Sequence, residues 1–325
     1  MSVALSVAIA VSIALLFLGS THERSLLEGD VHDGLPAVRI GAAIPVEAGA
    51  TDTPALVIDL KFNGSGALAH VKELTSFGPR VSGGIEEGSA ADYIELTMTG
   101  FGYSVDRQAF RAPNGRIANN LIAVKAGTPP QSSTETPAWA ALGAHYDTVS
   151  GTVGANDNAS GVSVVLETAR IMRQTALPYD LRFILFSSEE NENPSRDSYA
   201  GSLKYVEDLS DADKIASLGY LNVDMVGWPD AGYSIGSRRL GDRSLVELGV
   251  EMATERQLVF VVDRGYSVRL SDHQSFEKAG MPVVSFGAAD YPYHHKPEDS
   301  LDKVGAGQLE AIGSLVAGLL KQLGE

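Results

Sequence analysis

From residue 120 to the C-terminus, short apolar runs alternate with stretches of helical period, and this alternation restricts the fold more than any other feature of the chain. NLIAVK (120–125), WAALGAH (139–145) and LRFILF (181–186) read as strands, as do residues 218–226, 258–262 and 282–286. Between them, Val162, Val165, Leu166, Ala169 and Met172 mark one face of a helix. Further helices are expected near 199–209, over 244–256 and over 307–323. Upstream, Leu68, Val71 and Leu74 recur at helical spacing, and a second helix is expected through 90–98. LRFILF is nearly continuous in its apolar character, as a strand buried on both faces of a parallel sheet must be. The pattern predicts an α/β fold with a single doubly wound, mostly parallel sheet flanked by helices. With no internal repeat and no second boundary, residues 55–325 read as one domain of a size that suits an enzyme.

The charge balance narrows the ligands. With 41 acidic against 25 basic side chains the net charge is −16, which argues against a nucleic-acid partner, because phosphate binding draws on clustered Lys and Arg. A field of this sign favours cationic or amine-bearing ligands. The chain has no cysteine, so it has no disulfide, no thiolate nucleophile and no Cys-held zinc or iron–sulfur centre. Any metal must be held by His, Asp and Glu.

Residues 3–18 (VALSVAIAVSIALLFL) are broken only by Ser6 and Ser12 and are followed by Gly19 and Ser20. Residues 1–20 therefore read as a cleaved export signal, with a retained membrane anchor as the alternative. Either reading takes the protein out of the cytosol, secreted, periplasmic or anchored with its catalytic domain outside. Residues 21–54 lack periodicity and read as a linker.

In doubly wound folds ligands sit beyond the carboxyl ends of the strands, so the residues that follow each strand carry most information. His145-Tyr146-Asp147 follows the 139–145 run; the i and i+2 side chains share a face, which suits a metal-ligating His oriented by a second carboxylate. Asp157 lies in ANDNASG, just before a helix, and alone would read as a helix cap. Ser187-Ser188-Glu189-Glu190 follows LRFILF and alone would read as a solvated acidic turn. Asp224 falls inside the expected 218–226 strand, where a carboxylate needs a partner or a metal. Tyr293-His294-His295-Lys296 follows the 282–286 run and holds two of the seven histidines. Together these strand ends offer a set of O and N ligands that suits zinc, with a carboxylate able to bridge two ions.

HYDT, ANDNASG, SSEE, NVDMVG and YHHKPEDSLD occur in the order found in the co-catalytic zinc exopeptidases of the bacterial leucyl aminopeptidase type, a superfamily shared with glutaminyl cyclases. FGPRVSG (77–83) and SDHQSF (271–276) also resemble that family, and the resemblance covers roughly residues 60–323. It implies a zinc-dependent aminopeptidase with two zinc ions per chain, acting on peptides with a free N-terminus. His145 and Asp224 would bind one ion, Glu190 and His295 the other, and Asp157 would bridge them. Asp147 would orient His145. Glu189 would be the general base, taking a proton from the attacking water and passing it to the leaving amine.

Two departures stand out. Some family members place Tyr directly before the last ligand His, to stabilise the tetrahedral intermediate; here that position is His294. Either His294 or Tyr293 supplies that hydrogen bond, or the two metals suffice. The doublet also offers two ligands; HKPED matches the family's HTPxD with His295 as ligand and His294 as the alternative. Residues 191–198 (NENPSRDS) form a longer link after Glu190 than the family resemblance leads one to expect, and would reshape the substrate pocket.

Weaker signals resolve blandly. Residues 64–69 formally fit GxGxxA after the strand-like ALVIDLKF, but Glu86 and Glu87 sit in a Gly-rich stretch rather than at the end of a second strand. Residues 151–154 read as a flexible rim. Asn63 and Asn158 head glycosylation sequons, the second at the expected metal site. His273 reads as the first turn of a helix capped by Ser271 or Asp272 and ended by Gly280. Two rival functions remain: a glutaminyl cyclase-like enzyme with one zinc, and a non-catalytic relative. The second should have lost ligands or base, whereas Glu189 is present.

Overall fold

The structure is a computed structural model that describes residues 61–128, 136–190, 199–230, 232–237, 243–264 and 270–323. The leader 1–20, the linker 21–54, most of ALVIDLKF and the 191–198 link lie outside the described residues.

Two helices, α1 (Gly64–Ser76) and α2 (Ile85–Gly100), precede an edge hairpin of β1 (Val105–Arg111) and β2 (Ile117–Lys125). Then β3 (Trp139–His145), α3 (Gly161–Met172) and β4 (Asp180–Phe186) follow. Helices α4 (Ala200–Asp208) and α5 (Asp211–Ile215) lead to β5 (Ser217–Val223) and β6 (Tyr233–Ser237). The chain continues through α6 (Arg243–Glu255), β7 (Phe260–Arg264), α7 (His273–Lys278), β8 (Val283–Ala288) and α8 (Ala306–Gln322).

The eight strands of the described residues join one sheet in the order β1-β2-β4-β3-β5-β8-β6-β7. The four central strands, β4, β3, β5 and β8, run parallel, as do β6 and β7, while β1–β2, β2–β4 and β6–β8 are antiparallel. The expected doubly wound, mostly parallel sheet is what forms.

The apolar runs make sense on the pleat. Along β3, Ala140, Leu142 and Ala144 enter one core with Leu181, Phe183 and Leu185 of β4 and Leu221 and Val223 of β5. Trp139, Ala141, Ile184, Phe186, Tyr220 and Val283 enter a second core on the opposite face. Successive side chains point to opposite faces, so a strand covered on both sides must be apolar at every position. Helices α1, α2, α3, α6 and α8 pack together on the first face and α4 with α7 on the second. Gly143 lets the sheet close over Tyr220; a Cβ there would meet the Tyr220 ring at 2.9 Å and the Ile184 carbonyl oxygen at 2.6 Å. Among the described residues no helix is long and apolar enough to cross a membrane.

Several sequence expectations are corrected. The 218–226 strand ends at Val223, because Met225 takes a left-handed turn (φ 55°), so Asp224 lies just past the strand rather than inside it. Strands β1 and β6 were not expected: β1 (VDRQAFR) is a largely exposed edge, and β6 (YSIGS) is short and Ser/Gly-bearing. The 64–69 glycines serve helix packing, since a Cβ on Gly64 would lie 2.2 Å from the Ala306 carbonyl oxygen. Asn63 caps α1, accepting the Gly66 N–H at 3.0 Å. Helix α7 starts at His273 and Gly280 (φ 83°) follows it, but no side chain caps it.

Candidate active site

The carboxyl ends of β3, β4, β5 and β8 deliver their residues to one place. His145 is the last residue of β3 and is buried. Glu189 and Glu190 follow β4 across the two-residue link Ser187–Ser188, and Asp224 follows β5. His294 and His295 come from the loop after β8. Asp157 comes from the irregular turn Ala155–Ser160 before α3, where its φ and ψ are non-helical. It does not cap that helix; its own N–H is accepted by Asp299.

Asp157 stands at the centre. Its Oδ1 lies 3.4 Å from His145 Nε2, while Oδ2 lies 3.4 Å from His294 Nε2 and 3.6 Å from His295 Nε2. His145 Nε2 is also 3.5 Å from Asp224 Oδ1, and His295 Nε2 is 2.9 Å from Glu190 Oε1. Three overlapping groups of ligand atoms lie within 4.8 Å of one another: His145–Glu189–Asp224, His145–Asp157–Glu190 and Asp157–His294–His295. The His294 and His295 rings stack at 3.7 Å, so both reach the same carboxylate.

Asp147 acts from behind. Its Oδ1 is 3.6 Å from His145 Nδ1, and its two oxygens accept the backbone N–H of Glu189 at 3.2 Å and of Glu190 at 3.1 Å. With its backbone carbonyl 3.3 Å from His145 Nδ1, one fully buried residue thereby fixes an imidazole and both glutamates.

Electrostatics in this cluster oppose simple ionisation. Burial raises Glu189 well above the usual carboxylate range, and Glu190, Asp224 and Asp272 add to the shift. Burial and the charge of Asp157 push Glu190 to about 7. Burial would pull His145 down, but Glu189 and Asp224 outweigh it and its pKa rises well above the ordinary value. Burial would raise Asp157 too, yet His145, His294 and His295 hold it down to about 2. The cluster is short of positive charge, and the buried oxygens Asp157 Oδ2 and Asp224 Oδ1 have no hydrogen-bond partner. A donor set of carboxylates and imidazoles with orphaned buried oxygens fits divalent cations of the zinc type.

The residues surround a cavity of ≈ 300 Å³, the size of a small ligand or of one or two amino-acid residues. Tyr199, Met225 and Leu270 also line it; among the described residues no Lys or Arg does. Tyr293 is not among its lining residues: its ring packs edge-on against Trp228 at 5.5 Å and Tyr291 at 5.8 Å. Asn158 is wholly buried, donating to the Val223 carbonyl at 2.9 Å and accepting from Gly161 and Met225, so its sequon is inaccessible. Backbone strain gathers here. Of the five non-glycine residues with positive φ among the described residues, Ser188, Tyr199, Met225 and His295 belong to this site.

The model of peptidase family M28 matches residues 122–320, more than half of the chain and every residue of the cluster. This chain is a member of peptidase family M28. Among curated M28-like relatives, it is 30% identical over 217 residues to aminopeptidase YwaD of Bacillus subtilis, covering 63% of this chain and 45% of that protein. It is 31% identical over 240 residues to leupeptin-inactivating enzyme 1 of Streptomyces exfoliatus, covering 69% and 49%. The chain thus spans about half the length of these relatives. The fold is shared with the aminopeptidase from Aneurinibacillus sp. strain AM-1 (TM-score 0.71, 22% identity, 80% of this chain and 94% of that one). It is shared equally with a Porphyromonas gingivalis glutaminyl cyclase (TM-score 0.69, 23% identity, 81% and 99%).

Another buried residue near the site lies in FGPRVSG. Arg80 is fully buried; its Nε donates to the Tyr146 carbonyl at 2.8 Å, Nη1 to Val153 at 2.6 Å and Nη2 to Gly154 at 3.1 Å. It clamps the loop between His145 and Asp157, so residues 151–154 are gripped rather than a free rim. Burial lowers its pKa to about 10 against the pull of Asp147, Asp299 and Asp157, which leaves it cationic.

Proposed function

We propose that the chain is a zinc-dependent aminopeptidase that removes N-terminal residues from peptides. His145 and Asp224 would hold one zinc ion, Glu190 and His295 a second, and Asp157 would bridge the two. The observation that carries this reading is Asp157, which turns one oxygen to His145 and the other to the histidine doublet. When bound, the ions supply Lewis acidity: they polarise the scissile carbonyl and acidify water.

The chain's own residues do the rest. Glu189 takes a proton from the attacking water and returns it to the leaving amine, a role suited to a carboxyl group whose pKa is raised by burial. Asp147 holds the Glu189 and Glu190 amides and the His145 ring, so base and ligands keep their geometry through the reaction. A free α-ammonium is the natural partner of a cavity lined by the carboxylates of Asp157, Glu189, Glu190 and Asp224, which supports exopeptidase action. His294 lines the cavity, which supports its role as donor to the developing oxyanion. Export, read from residues 3–18, belongs to the same proposal.

The test is zinc-loaded protein incubated with free, N-acetylated and N-terminal Gln peptides, with products read by mass spectrometry. Stepwise loss from free N-termini alone is expected. Ammonia loss confined to Gln peptides would replace this reading with a cyclase, and an untouched pool with zinc bound would end it.

A further inference from the structure

Glu86 and Glu87 share the first turn of α2, but only Glu86 faces water; Glu87 is 3% exposed. A carboxyl group is seldom buried without partners, and those of Glu87 lead to the site. Its Oε2 accepts the Gly83 N–H at 2.6 Å, and Oε1 accepts the Ser187 hydroxyl. Ser187 lies 3.3 Å from the Ser82 hydroxyl, which is also hydrogen-bonded to the Ser188 hydroxyl. Ser82 is itself held, its carbonyl accepting from Asn114 Nδ2 at 2.8 Å.

Ser187 and Ser188 are the whole link between β4 and the two glutamates. Ser188 takes a left-handed conformation (φ 60°), which is strained for a non-glycine residue and persists only where neighbours hold it. That turn aims the next two N–H groups at Asp147. The backbone amides are thus fixed from the front by Asp147 and the serine side chains from the rear by Ser82 and Glu87. We propose that Glu87, acting through Ser82, Ser187 and Ser188, is a positioning residue for Glu189 and Glu190. The role rests on the catalytic reading above. Glu87 does not line the cavity. Burial, reinforced by the charge of Asp147, raises its pKa to about 8, so at neutral pH it grips the serines without adding another negative charge. A glutamine can keep both partners, its Oε1 accepting the Gly83 N–H and its Nε2 donating to the Ser187 oxygen; a leucine of similar bulk cannot.

The experiment compares wild type, Glu87→Leu, Glu87→Gln and Ser82→Ala as full chains, by hydrogen–deuterium exchange of the 187–190 segment and by peptide turnover with zinc present. Ser82→Ala cuts the link to Ser188 without altering the segment measured, and stands in should Glu87→Leu not fold. Exchange in Glu87→Leu and Ser82→Ala should quicken about tenfold or more, the mark of local opening. Their kcat should fall about 10- to 100-fold with KM little changed, as expected when reacting groups are misplaced by about 1 Å. Glu87→Gln should stay within about threefold of wild type on both measures. Unchanged exchange in both disrupting variants would overturn the proposal, as would a Glu87→Gln as impaired as Glu87→Leu. If wild type turns over no peptide, the aminopeptidase reading falls, while exchange still decides the positioning role.

Discussion

Asp299, from the loop after β8, accepts the backbone N–H of Asp157 at 3.0 Å across 142 residues of chain. Its other oxygen accepts the Asn156 N–H at 2.7 Å and the Tyr291 hydroxyl at 2.6 Å. The central carboxylate of the site is therefore held by a distant segment, not by its own turn. Asp299→Asn sets an amide N–H against one of these donors. It should lower stability by about 1–3 kcal/mol and zinc affinity about tenfold or more, read by denaturant unfolding and chelator competition. Wild-type values in both would show that the anchor is dispensable.

Glu189→Gln keeps the shape and removes the carboxylate proposed as base. Turnover should fall by about 10²- to 10⁴-fold while zinc content, measured by mass spectrometry of metals, stays at the wild-type level. Near-full activity would remove Glu189 from the role of base.

Asp157→Ala takes away the carboxylate whose two oxygens face His145 and both histidines of the doublet. Metal content after dialysis should drop below that of the wild type by at least one ion per chain, with activity lost. Full retention of zinc would place the ions elsewhere.

Tyr199 lines the cavity, and burial together with Glu189, Asp272, Asp224 and Glu190 raises its pKa, so it remains a neutral donor throughout the working pH range. Tyr199→Phe should lower kcat/KM about tenfold, the worth of one hydrogen bond to a charged group. An unchanged kcat/KM would reduce the phenol to a wall of the pocket.

Glu87 gives a pH signature. Its pKa rises from 4.5 to about 8 on folding, so between those values the unfolded chain ionises while the folded chain does not. Its contribution is fully present below about pH 4.5 and is lost as pH rises towards 8. Glu87→Gln removes that loss, so its stability relative to wild type should improve steadily from pH 5 to 8 in denaturant melts. A pH-independent difference would mean that Glu87 ionises normally.

What the sequence made legible was the set of strand ends. WAALGAH and LRFILF are apolar at almost every position because both sheet faces are covered, so the polar residues that follow them stand out. Asp224 was assigned to the interior of a strand because NVDMV carries no sign that Met225 turns left-handed. Arg80, Asp299 and Glu87 are opaque for a different reason: the partners that tie them to the site, among them Tyr146, Asp157 and Ser187, lie 66, 142 and 100 residues away. Only the folded sheet brings them together. The choice between His294 and His295 was open in the sequence because the two rings occupy nearly the same place: both come within 3.6 Å of Asp157.

The left-handed residues Ser188, Tyr199, Met225 and His295 limit how this protein can be engineered or drift. Glycine at any of them would relax the backbone, and a screen for heat resistance would tend to select it. Each such gain would delete a side chain that lines the cavity or belongs to the link before the glutamates. Gln257, the fifth such residue, lies away from the cluster, and there the same replacement should come without loss of turnover. Thermal tolerance and catalytic rate are thus separable at one of these five positions and opposed at the other four.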